Sequence, residues 1–330
     1  MLKVAVIGVG SMGQNHVRVY SNFDGIELVG VSDASVTQGQ KIASKFKTKF
    51  YSDYHVMLTD ARPDIVSIAV PSQLHKEVAI EAMRRGVNVL LEKPIALNEM
   101  ESEEIIAAAK KYNVKLMIGH IERFNPAIIE LKKHLAKNEI GSIYKIDVQR
   151  IGPFPDRIND VGVILDLAVH DIDIIEYVTG LSVEGIYAQT QQKIHSSCED
   201  SLCAIIKYSG DVIASLNINY LSPRKIRTIS FFGEKGMFEV NYLEQNLTLY
   251  KNGTYKDTDN MVEKFRGIAI GDCIHLSIPK EEPLFAEIKS FINCVRNDEE
   301  PMVTGKQGLH ALHIANLLIE SAQKNKAIQR

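Results

Sequence analysis

A glycine turn set between a strand pattern and a helix pattern limits this chain more than any other feature. The strand run Lys3–Ile7 is followed by Gly8-Val9-Gly10-Ser11-Met12-Gly13, and then at once by the helical stretch Gln14–Tyr20. A lone G-x-G-x-x-G is a weak signal, but strand, turn and helix in direct succession make it specific. Gly8 permits the tight turn, Gly10 lets the backbone approach a pyrophosphate, and Gly13 allows the helix to pack closely on the strand. The free N–H groups and positive end of the helix then face phosphate. Gly8, Gly10, Ser11, Met12 and Gly13 are therefore expected to contact a dinucleotide. Asp33 closes the second apolar run, Ile26–Val31, where an acidic side chain accepts hydrogen bonds from the adenosine ribose. A carboxylate there repels a 2′-phosphate and no arginine immediately follows it, so NAD is favoured over NADP.

The same strand–helix alternation continues to about residue 120. Short apolar runs at 65–70, 87–91 and 116–118 carry no polar alternation, as strands buried on both faces require. Amphipathic stretches at 73–85 and 99–112 separate them, which implies parallel pairing through right-handed crossovers. After a helical stretch at 122–137 the period changes. Val212, Ala214, Leu216, Ile218 and Tyr220 face one way while Asn217 and Asn219 face the other, and Phe238, Val240 and Tyr242 repeat the pattern. Turn residues at 209–211, 233–236 and 252–253 bound these runs, so an antiparallel sheet with one polar face is expected. Helical patterns at 284–297 and 307–324 close the chain. The class is α/β: a doubly wound parallel sheet in residues 1–121, then an α/β domain with a large open, mainly antiparallel sheet in 122–330.

Composition narrows the partners. Lys plus Arg (38) against Asp plus Glu (41) leaves a net charge of −3, with no basic patch suited to nucleic acid. No run approaches the roughly 18 apolar residues that span a bilayer, so no membrane association is expected. Cys198, Cys203, Cys273 and Cys294 fit neither a zinc nor a redox spacing. Free thiols in a reducing cytoplasm are the simplest reading.

Two further segments carry chemistry. Glu92-Lys93-Pro94 follows the run Val87–Leu91, and the carboxyl end of a parallel strand opens on the ligand crevice of such sheets. Pro94 confines Lys93 to an extended backbone and so fixes its direction. In the apolar helical stretch 160–178, Asp166, His170 and Asp173 fall at i, i+4 and i+7, forming a narrow polar stripe expected to line a cleft. An imidazole titrates near neutrality and suits the removal of a hydroxyl proton during alcohol oxidation. An ammonium group stabilises the developing charge on the same oxygen. Lys93 and His170 are the candidates for these roles; which is the formal base stays open, and Asp166 orients substrate or His170. This chemistry needs no metal. His310 and His313 have no further ligands nearby in sequence.

Gly8–Gly13, Pro71-Ser72 with His75, Glu92-Lys93-Pro94 and Asp166-x-x-x-His170, in this order, resemble the Gfo/Idh/MocA family of sugar and polyol dehydrogenases. The resemblance covers nearly the whole chain. It implies a Rossmann domain followed by an α/β domain with an open sheet. It also places Pro71, Ser72 and His75 beside the cofactor, Glu92 and Lys93 near the nicotinamide ribose, and a cis bond before Pro94. Arg123-Phe124-Asn125-Pro126 and the segment Arg150 to Arg157 resemble those of members that act on UDP-sugars. Arg123, Asn125, Arg150 and Arg157, with Asp166 and His170, are thus expected to bind substrate, the arginines holding a pyrophosphate. The implied reaction is NAD-dependent oxidation of the 3-hydroxyl of UDP-N-acetylglucosamine, supplying an aminotransferase in a surface-glycan pathway. The corresponding uronate or an inositol-type polyol is the alternative substrate, and a non-catalytic sensor of NAD and sugar the alternative of another class. The exposed sheet face suggests a homo-oligomer.

Overall fold

The computed structural model describes residues 1–155, 161–195, 197–253 and 270–330. The chain divides into two compact units, Met1–Ile121 with Glu282–His313, and Glu122–Glu281 with Ile314–Arg330.

The first unit runs β1 (Leu2–Ile7), α1 (Gly13–Ser21), β2 (Ile26–Ser32), α2 (Val36–Phe46), β3 (Phe50–Tyr51), α3 (Tyr54–Asp60), β4 (Ile65–Ile68), α4 (His75–Arg84), β5 (Asn88–Glu92), α5 (Glu99–Tyr112) and β6 (Leu116–Gly119). Its strands form a parallel sheet in the order β3-β2-β1-β4-β5-β6. Val4 to Ile7 and all of Ile65–Ile68 are buried, which explains why these strands read as unbroken apolar runs. Helix starts follow local chemistry: Ser35 accepts from the Gln38 N–H and Asn98 from that of Glu101. Winding outward in both directions from β1 puts the topological switch point between β1 and β4, and ligands of such sheets bind outside the strand ends there.

The second unit contains α6 (Pro126–Ala136), β7 (Ile143–Pro153), α7 (Val169–Thr179), β8 (Val183–Gln191), β9 (Ser201–Tyr208), β10 (Val212–Asn219), β11 (Leu221–Gly233), β12 (Gly236–Asn241), β13 (Asn246–Asn252) and β14 (Ile270–Leu276). After α8 (Pro283–Asn297) and α9 (Gly305–Lys324), the short β15 (Ile328–Gln329) completes its sheet. The strand order is β14-β13-β12-β11-β7-β10-β9-β8-β15; β7 and β10 pair in parallel and the other pairs are antiparallel. Apolar residues of α6, α7 and the second half of α9 pack with Ile146, Val148, Ile206, Leu216, Ile229 and Phe231 in one core on one sheet face. On the other face Tyr187, Ile205 and Ile213 are exposed.

The single division expected at 121/122 therefore needs correction. Residues 282–313 belong with the first unit. Phe285 of α8 stacks on Phe23 with ring centroids 5.3 Å apart, and Arg18 pairs with Glu282. The Ile118 N–H donates to the Val303 carbonyl at 3.1 Å. Sequence distance hides such a return, because each helix shows its own period but not which sheet it covers.

Candidate active site

In the first unit the glycine turn behaves as its composition requires. Gly8 has φ +83°, and a β-carbon there would lie 2.6 Å from the Ala69 carbonyl oxygen. One at Gly13 would lie 1.8 Å from the Gly8 oxygen, while one at Gly10 meets nothing within 4 Å. Two glycines are thus demanded by the protein itself, and the middle one faces open space. That space belongs to a cavity of about 410 Å³ lined by Gly8, Gly10, Asp33, Ala69, Val70 and Pro71, among others. The Asp33 carboxylate accepts from the Val9 N–H at 2.7 Å and the Ser35 N–H at 2.8 Å. These bonds fix the turn to the end of β2, and each oxygen keeps a second lone pair for a ligand hydroxyl. A cradle open at Gly10 with a carboxylate at its rim fits a dinucleotide. Ser11 is exposed, Met12 precedes the first residue of α1, and Ser72 is buried in a short turn that starts after Pro71.

At the end of β5 the Lys93–Pro94 bond is cis, as the resemblance implied. Glu92 is largely buried and Lys93 half-buried. His75 is held by the backbone on both sides. Its ring nitrogens lie against the Pro94 carbonyl at 2.8 Å and the Val70 carbonyl at 3.1 Å, and the side chain is 1 % exposed. A neutral ring donates to one of these carbonyls and lies against the other, between the loops that follow β4 and β5. Burial holds its pKa below the usual histidine range, against the pull of those carbonyls.

Behind Glu92 lies a buried polar chain that sequence reasoning missed. His16 Nε2 donates to Glu92 Oε1 at 2.9 Å, His16 Nδ1 meets Ser67 Oγ at 3.0 Å, and Tyr20 Oη meets the same oxygen at 2.8 Å. Glu92 can only accept when ionised, so a single direction of donation, Tyr20 to Ser67 to His16 to Glu92, satisfies every group. Val17 and Val19, both buried beside His16, were the available signal that this part of α1 faces inward.

In the second unit Asp166 lies in one π turn, Ile164–Ala168, and His170 is the second residue of α7. The Tyr220 hydroxyl donates to Asp166 Oδ2, a partner the strand pattern concealed by placing Tyr220 with the core. Glu199 caps the segment, accepting from the Ile164 N–H at 3.1 Å. Asp166 and Tyr220 line a cavity of about 240 Å³ together with Phe154, Leu167, Lys225 and Arg227.

The arginines expected to meet substrate have partners within the unit. Arg123 Nε and Nη2 donate to the Asp173 carboxylate at 2.8 and 2.5 Å, with both side chains buried. Arg150, 1 % exposed, donates to both oxygens of Asp171 at 2.6 and 2.9 Å and to Glu122 at 3.1 Å. Burial opposes its charge, but the two carboxylates outweigh this and push its pKa above the usual arginine range. Asn125 caps α6 through the Ala127 N–H and donates to the Tyr242 carbonyl at 3.1 Å. These bonds hold all three residues within the unit, and Arg150 also lines the 240 Å³ cavity. Asp173 likewise holds Arg123 and does not extend the Asp166–His170 stripe. Arg157 lies outside the described residues.

A glycine cradle at a switch point, with a carboxylate at its rim, defines the class: a Rossmann-type dinucleotide-binding protein with a second α/β unit. The chain belongs to the Gfo/Idh/MocA oxidoreductase family. Residues 2–120 match the family's NAD-binding Rossmann fold and residues 132–329 its C-terminal alpha/beta domain. UDP-N-acetylglucosamine 3-dehydrogenase of Acidithiobacillus ferrooxidans is 27 % identical over 314 residues, 95 % of each chain. Myo-inositol 2-dehydrogenase of Thermotoga maritima is 23 % identical, covering 99 % of this chain and 98 % of that one. The solved structure of the Acidithiobacillus enzyme, GnnA, matches with TM-score 0.84 at 26 % identity over 98 % of each chain. An oxidoreductase from Agrobacterium radiobacter, solved with NAD⁺, L-tartaric acid and magnesium, shares the fold at TM-score 0.86 and 17 % identity, over 99 % of this chain and 98 % of that one. The chain is accordingly an NAD-dependent dehydrogenase of the sugar and sugar-alcohol class. Among the described residues no helix is long and apolar enough to cross a membrane, and all four cysteines are free.

Proposed function

We propose that this enzyme oxidises the 3-hydroxyl of UDP-N-acetylglucosamine to the ketone. The reading is supported chiefly by likeness to the Acidithiobacillus enzyme along 95 % of both chains. NAD, when bound, accepts a hydrogen with its electron pair from the carbinol carbon. Gly8, Gly10, Ser11, Met12, Gly13, Asp33, Pro71, Ser72, Glu92 and Lys93 hold it in this proposal. Lys93 and His170 are the candidates to accept the hydroxyl proton, and an ammonium on Lys93 would favour the charge that develops on the oxygen. Asp166, restrained by the Tyr220 hydroxyl, orients the substrate or His170. The 3-keto product has the chemistry an aminotransferase requires. The exposed Tyr187, Ile205 and Ile213 on the bare sheet face support self-association through that face.

The myo-inositol 2-dehydrogenase relative supports a polyol as the second reading. Purified protein assayed with NAD and with NADP against UDP-sugars, the uronate analogue and inositols separates the two. The proposal expects turnover with UDP-N-acetylglucosamine and NAD; turnover with inositols alone overturns it. Lys93→Met and His170→Ala each abolish turnover while NAD affinity stays nearly intact. Tight NAD binding with no turnover on any of these alcohols would indicate a sensor.

A further inference from the structure

Sheet alternation places two arginines where apolar residues belong. On β7, Ile146, Val148 and Arg150 share the core-facing side; on β11, Ile229 and Phe231 share it with Arg227. Arg150 and Arg227 are direct register partners. A guanidinium on a core-facing side needs acceptors, and Arg150 has three short ones, as described above. The only ion pair of Arg227 among the described residues is with Glu122, 4.0 Å away, whose same oxygen already accepts from Arg150 at 3.1 Å. Burial, and then the charge of Arg150, hold the Arg227 pKa below the usual arginine range. Among the described residues, then, this shielded cation has no close anion of its own.

The neighbourhood has room for one. Arg227 lines the 240 Å³ cavity that also holds Asp166 and Tyr220. Between Leu221 and Ile226 the register shifts, so that Ser222 to Lys225 bulge opposite the single residue Gly152. This bulge brings Lys225 to the cavity, where its Cγ would lie 3.7 Å from a β-carbon at Gly152. The Phe154 and Tyr220 rings pack edge to face at 5.7 Å on another side. Asp166, the carboxylate in the lining, accepts from the Tyr220 hydroxyl. Bulges commonly re-aim side chains beside active sites.

We propose that Arg227, with Lys225 at the rim, receives an anionic group of the substrate in this cavity. The role sequence motifs gave to Arg123 and Arg150 passes to a residue on β11. The shared chemistry is an oxyanion, and the proposed function makes it the diphosphate of a sugar nucleotide. The inference rests on that reading only in this choice of anion, since a sugar carboxylate would use the same fork.

The test is calorimetric titration of full-length protein, saturated with NADH, using UDP, glucuronate and myo-inositol as separate probes. Arg227→Gln is expected to weaken UDP binding roughly tenfold to a hundredfold, the scale of lost charge-assisted hydrogen bonds. Arg227→Lys recovers part of this by restoring charge without the fork. Myo-inositol binding stays within about twofold of wild type. The melting temperature of Arg227→Gln does not fall, because no short ion pair is lost, whereas a bracing role would lower it. If glucuronate but not UDP depends on Arg227, the inference stands and the UDP-sugar reading fails. If neither anion binds wild type, or both bind Arg227→Gln as tightly as wild type, the inference is overturned.

Discussion

Replacing Arg150 with methionine separates bracing from ligand binding most sharply. Methionine keeps much of the apolar stem and removes the charge. Asp171, fully buried, then loses the two bonds at 2.6 and 2.9 Å, and Glu122 loses its contact at 3.1 Å. Glu122 retains Arg227 at 4.0 Å, so the larger part of the cost falls on Asp171. Removing one partner of a buried pair costs about 3–5 kcal/mol, because the survivor's desolvation is no longer offset. For a unit of this size each kcal/mol moves the midpoint by about 2–4 °C, so Arg150→Met lowers Tm by roughly 6–20 °C. Adding Asp171→Leu removes the stranded carboxylate and recovers about 2 kcal/mol or more, a coupling typical of direct partners. Thermal melts of wild type, both single variants and the double variant measure this cycle, with NAD affinity followed on the same proteins as a check on the other unit. A melting point unchanged in Arg150→Met, together with a raised KM for the sugar, would refute the bracing role and return Arg150 to the substrate.

Three further outcomes are expected. His16→Leu removes the donor to Glu92 and weakens NAD binding about tenfold, while His16→Gln, which keeps an N–H, restores much of it; fluorescence titration with NADH reads both, and unchanged affinity beside a lowered Tm would confine His16 to the fold. Glu287 is fully buried, and among the described residues neither carboxyl oxygen has a hydrogen-bond partner. Burial and then Glu92 raise its pKa well above the carboxylate range, so as pH climbs past about 4.3 the unfolded chain ionises first and stability falls until the folded pKa is reached. Glu287→Gln removes that slope and stabilises the protein at neutral pH, by about 1.4 kcal/mol for each tenfold displacement of the ionisation; urea denaturation across this window checks it, and parallel profiles for the two proteins contradict it. Asp33→Ala frees the Val9 N–H and removes the charge facing a 2′-phosphate. The ratio of kcat/KM for NAD over NADP should therefore fall, and an unchanged ratio sinks the role given to Asp33.

The parallel sheet was legible because strands covered on both faces leave an uninterrupted apolar run, and a glycine turn has few substitutes. β3 was not, since Phe50 and Tyr51 alone make no pattern. β7 hid because Arg150 occupies a core position, and β11 because the bulge at Ser222 to Lys225 breaks its period. At the site, Glu92, Lys93, Asp166 and His170 stood out as polar groups amid apolar runs. Their supporting partners did not, because Tyr220 and His16 reach them across 54 and 76 residues of sequence. The partners of the arginine motifs were hidden for the same reason. Arg123 meets Asp173 fifty residues on, and Arg150 meets Asp171 twenty-one residues on. No local spacing distinguishes a guanidinium already paired from one kept for a ligand.

The proposed reaction is oxidation of the 3-hydroxyl of a UDP-sugar with NAD as acceptor. It is tested most directly with UDP-N-acetylglucosamine carrying deuterium at C3. Mixed with the enzyme and NAD, this substrate should yield NADH that carries the deuterium, at a rate lost in His170→Ala and Lys93→Met. NADH without deuterium, or NADH formed from inositols and never from this substrate, would contradict the account.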